Sequence, residues 1–230
     1  MLEPDLLNNK LLSALPREDL DLLQDNVSVV SFDIGTVLCE TGDEVDNVYF
    51  PLDGVISLAT VLKDGKTIET ATVGSEGVFG AMCGFGLRIS HVRATVQLPL
   101  RAARISAPML RKIVPKSPNV SNLCIHYNEV LLNQARISSA CNALHEIEAR
   151  FCRWLLQTSD REGWNKVLLT QAFLSKILGV RRTSVSEVAT KLQRAGIITY
   201  SRGSIRIIDR KRLYSMSCEC YETSRQRGLT

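Results

Sequence analysis

Three patterns in the 230-residue chain predict an α+β fold: an antiparallel β-roll or jelly-roll, then a long helix, then a C-terminal winged helix-turn-helix. Strand-length apolar runs punctuated by glycine fill residues 27–105. A heptad apolar repeat of about four periods occupies 119–150. Residues 169–208 carry two helical periods joined by a short turn and followed by a hairpin pattern. The expected division is 1–118, 119–145 and 146–230.

In chain order, leucines at helical spacing over residues 6–24, interrupted by Pro16, predict two short helices. From Val27 the period changes to that of strands, with runs at Thr36–Cys39, Val48–Phe50, Val55–Leu62, Thr67–Val73 and Arg93–Ile105. Regular strands between Gly and Asp turns suit a closed or sandwiched antiparallel sheet. Lys63-Asp64-Gly65-Lys66 is the clearest hairpin turn. Residues 73–84 form a glycine-rich loop with room for a short helix. Such a loop either offers backbone N–H groups to an anion or is a tight turn that needs small residues.

Within 119–150, Val120, Leu123, Tyr127, Val130, Gln134, Ile137, Cys141 and Leu144 share one heptad register. This predicts a helix that pairs with another, favoured as the two-fold partner that paired DNA half-sites require. Packing onto the β-domain with Leu131 and Leu132 is the alternative. A further amphipathic helix starts at Ile147, so the domain boundary is expected within Ala143–Glu148.

The last third holds the residues that point to a partner. Thr170 can cap a helix with Phe173, Leu174, Ile177 and Leu178 on its inner face, ended by Gly179. A second helix starting near Arg181 or Arg182 turns Val185, Val188, Ala189 and Leu192 inward, and Ala195-Gly196 stops it. Its opposite face is polar. In helix-turn-helix docking the N-terminal part of the second helix meets base edges and later residues meet the backbone. Arg182, Thr183, Ser186 and Glu187 are therefore expected to read bases, with Arg suited to guanine and Glu to cytosine N4. Thr170, Gln171, Arg181, Lys191, Arg194 and Arg202 are expected at phosphates, Arg202 from the tip of a four-residue hairpin loop, Ser201–Ser204.

After the hairpin, Asp209 can cap one last helix running through RKRLYSMSCECYETSRQR. Its Cys218-Glu219-Cys220 is too short and isolated to specify a metal, so no metal site is expected.

The net charge of +4 is mild, but Arg and Lys gather from Arg181 onward while the first sixty residues are rich in Asp and Glu, as suits one nucleic-acid-facing end. Seven scattered cysteines form no disulfide framework. With neither a signal-peptide pattern at the N-terminus nor an apolar run of membrane-spanning length, a soluble cytoplasmic protein without a membrane partner is expected. An enzyme is not expected: residues 27–105 hold one histidine, His91, and no nucleophile–base pair stands out.

The motifs FDIGTVLCETGD, VYFPLDGVISL, IEARFCRWLL and ILGVRRTSVSEVATKLQRAGII resemble those of the Crp/Fnr family of bacterial transcription regulators, from about Leu20 to Ile208. The resemblance implies a sensor β-roll of cyclic-nucleotide-binding type, a dimerisation helix, a homodimer on a palindromic operator in double-stranded DNA, and RNA polymerase as a partner. It places base reading at Arg182, Thr183 and Glu187, and an effector pocket at Gly74, Ser75, Glu76, Gly77 and Arg93. Three departures argue against cyclic AMP. Ser75 stands where a carboxylate holds the ribose, Ser90-His91 where Arg-Ser holds the phosphate, and Ala135-Arg136 where hydroxyls meet the adenine. The clustered N-terminal cysteines of the iron–sulfur branch are missing before Cys39, so no iron–sulfur cluster is expected. His91, His126 and His145 are not expected to be haem ligands, and no cofactor is identified.

Overall fold

The computed structural model describes residues 4–162, 166–168, 170–201 and 203–226. The chain forms two compact units, Met1–Thr60 with Ala71–Leu132 and Val61–Thr70 with Asn133–Thr230.

The first unit opens with a 3-10 turn, Pro4–Asn8, and two short helices, α1 (Lys10–Ser13) and α2 (Arg17–Gln24), with Pro16 as the N-cap of α2. Five antiparallel strands follow, of which the hairpin segment Val61–Thr70 is grouped with the second unit: β1 (Ser28–Phe32), β2 (Val37–Cys39), β3 (Asn47–Val61), β4 (Thr67–Val73) and β5 (Arg93–Ser106). Their order is β1-β5-β3-β4, with β2 also paired to β5. The separate runs expected at Val48–Phe50 and Val55–Leu62 are one 15-residue strand. Register shifts between Pro51 and Val55 bend it without ending it, as bulges do. The turn at Lys63–Lys66 closes the β3–β4 hairpin, with the Leu62 N–H donating to the Lys66 carbonyl at 2.8 Å. Phe50, Ile56, Leu100, Ile105 and Leu110 are almost wholly buried and belong to this unit's core.

Helices α3 (Ala107–Ile113) and α4 (Pro118–Leu144) complete the scaffold. The expected seam of α4 is used inside the chain. Val120, Tyr127, Gln134 and Cys141 are all at most 8% exposed, and Leu123, Val130 and Ile137 pack half-buried against the same cores. Those four seam positions are thus satisfied within the chain, while Leu123, Val130 and Ile137 stay partly open. At about 100° per residue the opposite face carries Ile125 and Leu132, both exposed.

The second unit contains α5 (Ile147–Glu162), β6 (Lys166–Leu168), α6 (Gln171–Leu178), α7 (Arg182–Arg194), β7 (Ile198–Ser201), β8 (Ser204–Ile207), α8 (Arg210–Ser215) and α9 (Cys220–Gln226). Phe151, Leu155, Leu174, Val185, Leu192 and Ile205 are buried together. Three local expectations change. A third strand, β6, joins the wing in the order β6-β8-β7. Ser201 and Ser204 pair with each other, so the hairpin loop is two residues long instead of four. The last helix is two, with Asp209 capping α8 through a 3.0 Å bond from the Arg212 N–H, and a break that holds Cys218. Among the described residues no helix is long and apolar enough to cross a membrane.

Asn9, fully buried, ties the N-terminal segment to the β-roll. Its side-chain oxygen accepts from the Leu11 and Leu12 N–H groups at 3.1 Å, and its amide donates to the carbonyls of Pro51 and Gly77 at 2.9 Å. Removing it costs the cap and leaves two carbonyls short of a donor. We expect Asn9→Ala to lower stability by about 2–4 kcal/mol in urea denaturation of the full chain. A loss under about 0.5 kcal/mol, the range of neutral surface changes, would mean that water replaces the side chain.

Candidate nucleic-acid interface

The candidate interface is built on the α6–α7 pair. Thr170 caps α6, its hydroxyl oxygen accepting from the Phe173 N–H at 3.2 Å. Gly179 ends the helix at φ 63°, the left-handed region that a side chain disfavours. A Cβ there would also lie 2.9 Å from Ile68 Cδ1. The turn is held from two other elements. Buried Arg150 of α5 donates to the Leu178 carbonyl, satisfying a C-terminal acceptor of α6. At the far end of α7, Arg212 donates to the Ala195 carbonyl at 2.9 Å, and the Gln193 side-chain oxygen accepts from the Tyr200 N–H at 2.9 Å, linking α7 to the wing. Sequence reasoning assigned no role to Arg150, Gln193 or Arg212. Arg150 lies in a motif that was noted, but its partner is a backbone carbonyl 28 residues away.

Val185, Val188, Ala189 and Leu192 fix α7 by burial. Arg181, Arg182, Thr183, Glu187, Thr190, Lys191 and Arg194 are exposed. A shallow groove along this face is lined by Ser186, Glu187, Thr190, Lys191 and Arg194. Besides Thr170, the expected contacts Gln171, Ser186 and Lys191 already have protein partners. Half-buried Ser186 lies 2.9 Å from Gln171 Oε1 and 3.0 Å from the Arg182 carbonyl, so its hydroxyl links the two helices. Lys191 pairs with Glu148 of α5 at 2.5 Å. Arg202 lies outside the described residues.

The residues expected around an effector are also engaged. The Glu76 carboxylate accepts from the Gly74 N–H at 3.1 Å, and the Ser75 carbonyl accepts from the Lys10 N–H at 2.8 Å. Gly77 lies under the Tyr127 ring: a Cβ there would be 1.9 Å from the Tyr127 hydroxyl oxygen, so only glycine fits. Arg93 is paired with Glu40 at 2.7 Å. A cavity of about 270 Å³ in the same unit has Val45, Leu58, Phe79, Leu87 and Leu131 among its apolar lining, with Ser90 and His91 among its polar lining.

The thiols divide into two kinds. Burial pushes Cys83 up to about 11 and Cys124 and Cys152 up to about 12, as for inert core thiols. Cys141 is instead held well below the ordinary thiol range, first by a hydrogen bond from Cys218, with the Arg153 guanidinium and His145 adding to it against the cost of burial. The premise that Cys218-Glu219-Cys220 stands isolated is overturned: Cys141, His145, Cys218 and Cys220 place one ligand atom each within 4.8 Å of one another. The available signal was Cys141 and His145 four apart at a helix end. Its other half lies 77 residues downstream of Cys141.

Comparison with known proteins agrees with this architecture. Residues 29–117 match the cyclic nucleotide-binding domain family and residues 149–216 the Crp-like helix-turn-helix domain family. The chain is 26% identical over 200 residues to the transcriptional regulator SdrP of Thermus thermophilus, covering 82% of this chain and 93% of that one. The crystal structure of a Crp/Fnr-family transcriptional regulator from Thermus thermophilus superposes with a TM-score of 0.69 at 23% identity, over 83% of this chain and 98% of that one. FixK2 from Bradyrhizobium japonicum superposes at 0.69 with 17% identity, over 84% and 98%. With the sensor-type β-roll and the exposed α7 face in the order that these matches share, the chain belongs to the Crp/Fnr family and is a DNA-binding transcription regulator, not an enzyme.

Proposed function

We propose that the protein works in the cytoplasm as a homodimer that reads a palindromic operator through α7, with RNA polymerase as its eventual partner. The observation that carries this reading is the exposed Arg182–Thr183–Glu187 edge at the N-terminal end of a helix whose opposite face is buried. That end reaches base edges in helix-turn-helix docking, and a two-fold pair of such helices reads half-sites one helical turn apart. The open face of α4, with Ile125 and Leu132 one heptad apart, suits the contact with a second copy. Arg181 and Arg194 serve as phosphate contacts. Lys191 joins them by exchanging Glu148 for a phosphate.

The sensor input is not a cyclic nucleotide in this reading. Glu76 and Arg93, the two charged residues that such a ligand would need, are tied to Gly74 and Glu40. Binding selection from a random duplex pool, with and without cyclic AMP, tests both parts. We expect one palindrome to be enriched equally in the two arms. Enrichment only with cyclic AMP would overturn the sensor reading, and none in either arm would overturn the DNA reading in its ligand-independent form.

Point variants separate the roles. Arg182→Ala should cost roughly 1–3 kcal/mol at one operator position and relax preference there, while Lys191→Ala should weaken all duplexes alike and reduce the salt slope by about 1. Titrations of operator variants at several salt concentrations distinguish the two. Glu148→Gln should do the reverse of Lys191→Ala, tightening every duplex by releasing the lysine; equal affinity to wild type would show that the Lys191–Glu148 pair does not compete with DNA.

A further inference from the structure

We propose that Cys141, His145, Cys218 and Cys220 bind one zinc ion, which clips the end of α4 to the turn between α8 and α9. This rests on the cluster alone and not on how the protein reads DNA. Cys141 and His145 are four apart, so they face the same way at the end of the helix. The break after α8 brings Cys218 and Cys220 against them. Cys141 Sγ and Cys218 Sγ are 3.5 Å apart, and Cys220 Sγ is 3.6 Å from His145 Nδ1. A tetrahedral ion with Zn–S of about 2.3 Å and Zn–N of about 2.1 Å separates its ligands by roughly 3.6–3.8 Å.

The spacing also chooses among metals and clusters. Four ligand atoms mutually within 4.8 Å surround a single ion, whereas an iron–sulfur cluster interposes several metal atoms and spreads its thiolates farther. Three thiolates and an imidazole are a soft donor set that suits zinc and disfavours magnesium or calcium.

The surroundings are those of a closed structural site. Cys141, Cys218 and Cys220 are at most 8% exposed, with Ile137 and Ala149 as the partly buried apolar neighbours among the described residues. His145 directs Nδ1 toward the thiols, while its Nε2 lies 3.1 Å from Glu219 Oε1, the carboxylate support that fixes the orientation of a ligating histidine. Three thiolates around one divalent ion leave a net charge of −1. Buried Arg153, whose Nε has no hydrogen-bond partner, acts on Cys141 electrostatically and can offset that charge. On binding, the ion displaces the remaining thiol protons to solvent.

The test uses the full chain, purified under reductant and without chelator. Elemental analysis should find one zinc per chain, and anaerobic exchange with cobalt(II) should give sulfur-to-cobalt charge-transfer bands with the intense visible bands of a tetrahedral site. Cys220→Ser should weaken those charge-transfer bands and lower zinc affinity by more than about 10-fold, and Glu219→Ala should lower affinity by roughly 10–100-fold. Cys39→Ser, outside the cluster, should change neither. A ligand variant that fails to fold does not affect the decision, because the wild-type spectrum carries it. Substoichiometric zinc after equilibration, a weak octahedral cobalt spectrum, iron in place of zinc, or a Cys141–Cys218 disulfide in the reduced preparation would each overturn the proposal.

Discussion

The inward burial of one face of α7 is the constraint on which the rest of the DNA-binding unit depends. Val185, Val188, Ala189 and Leu192 are at most 7% exposed. The three larger side chains contribute about 1.5–3 kcal/mol each by leaving water. The Lys191–Glu148 pair, with the lysine side chain 66% exposed, is worth at most about 1 kcal/mol. Burial therefore fixes the rotation of the helix, and the ion pair is free to exchange. Arg150 and Gly179 then fix where the helix begins, since a side chain at Gly179 would meet both an unfavourable φ and Ile68. The polar edge faces outward because the opposite stripe cannot.

Where sequence and structure agree, the determining interaction is local. Thr170 and Asp209 cap within three residues, Lys63–Lys66 turns on itself, and the α6 and α7 stripes follow the helical period. What could not be read depends on partners distant in sequence. Strand β6 exists through its pairing with β8, about 38 residues later, and has too few residues to show a period of its own. The last helix breaks before Cys220, in a stretch whose composition contains neither Gly nor Pro to mark the place. The hairpin loop is tighter than expected because Ser201 and Ser204, which look like turn residues, also pair across a ladder.

The heptads of α4 carry a pattern that more than one partner can satisfy. Periodicity reports which face is buried and says nothing about whose surface buries it. Tyr127 lies against Gly77 of its own chain and Cys141 against Cys218, so the repeat records intramolecular packing at those positions. The same reasoning applies to the β-roll, where two charged side chains already have partners within the chain. Glu76 is present one position late and bonds back to the Gly74 N–H, and the Arg93 guanidinium has Glu40 beside it. A ligand carrying a phosphate and a ribose would have to break these bonds before gaining its own.

The cluster at the end of α4 follows a different logic from the two cores. Phe50 or Phe151 holds its neighbours by apolar area, with about 25 cal/mol for each Å² removed from water. Three thiols with Ile137 and Ala149 have little such area to offer. Burying them beside a histidine and a guanidinium adds desolvation cost with few apolar contacts to offset it. Cys83, Cys124 and Cys152, buried within the two apolar cores, need no other role than packing. Cys141, Cys218 and Cys220 are polar in their surroundings and convergent in their geometry. Small side chains collected in this way are held by the bonds they can make, because packing alone gives the chain little reason to bring them together.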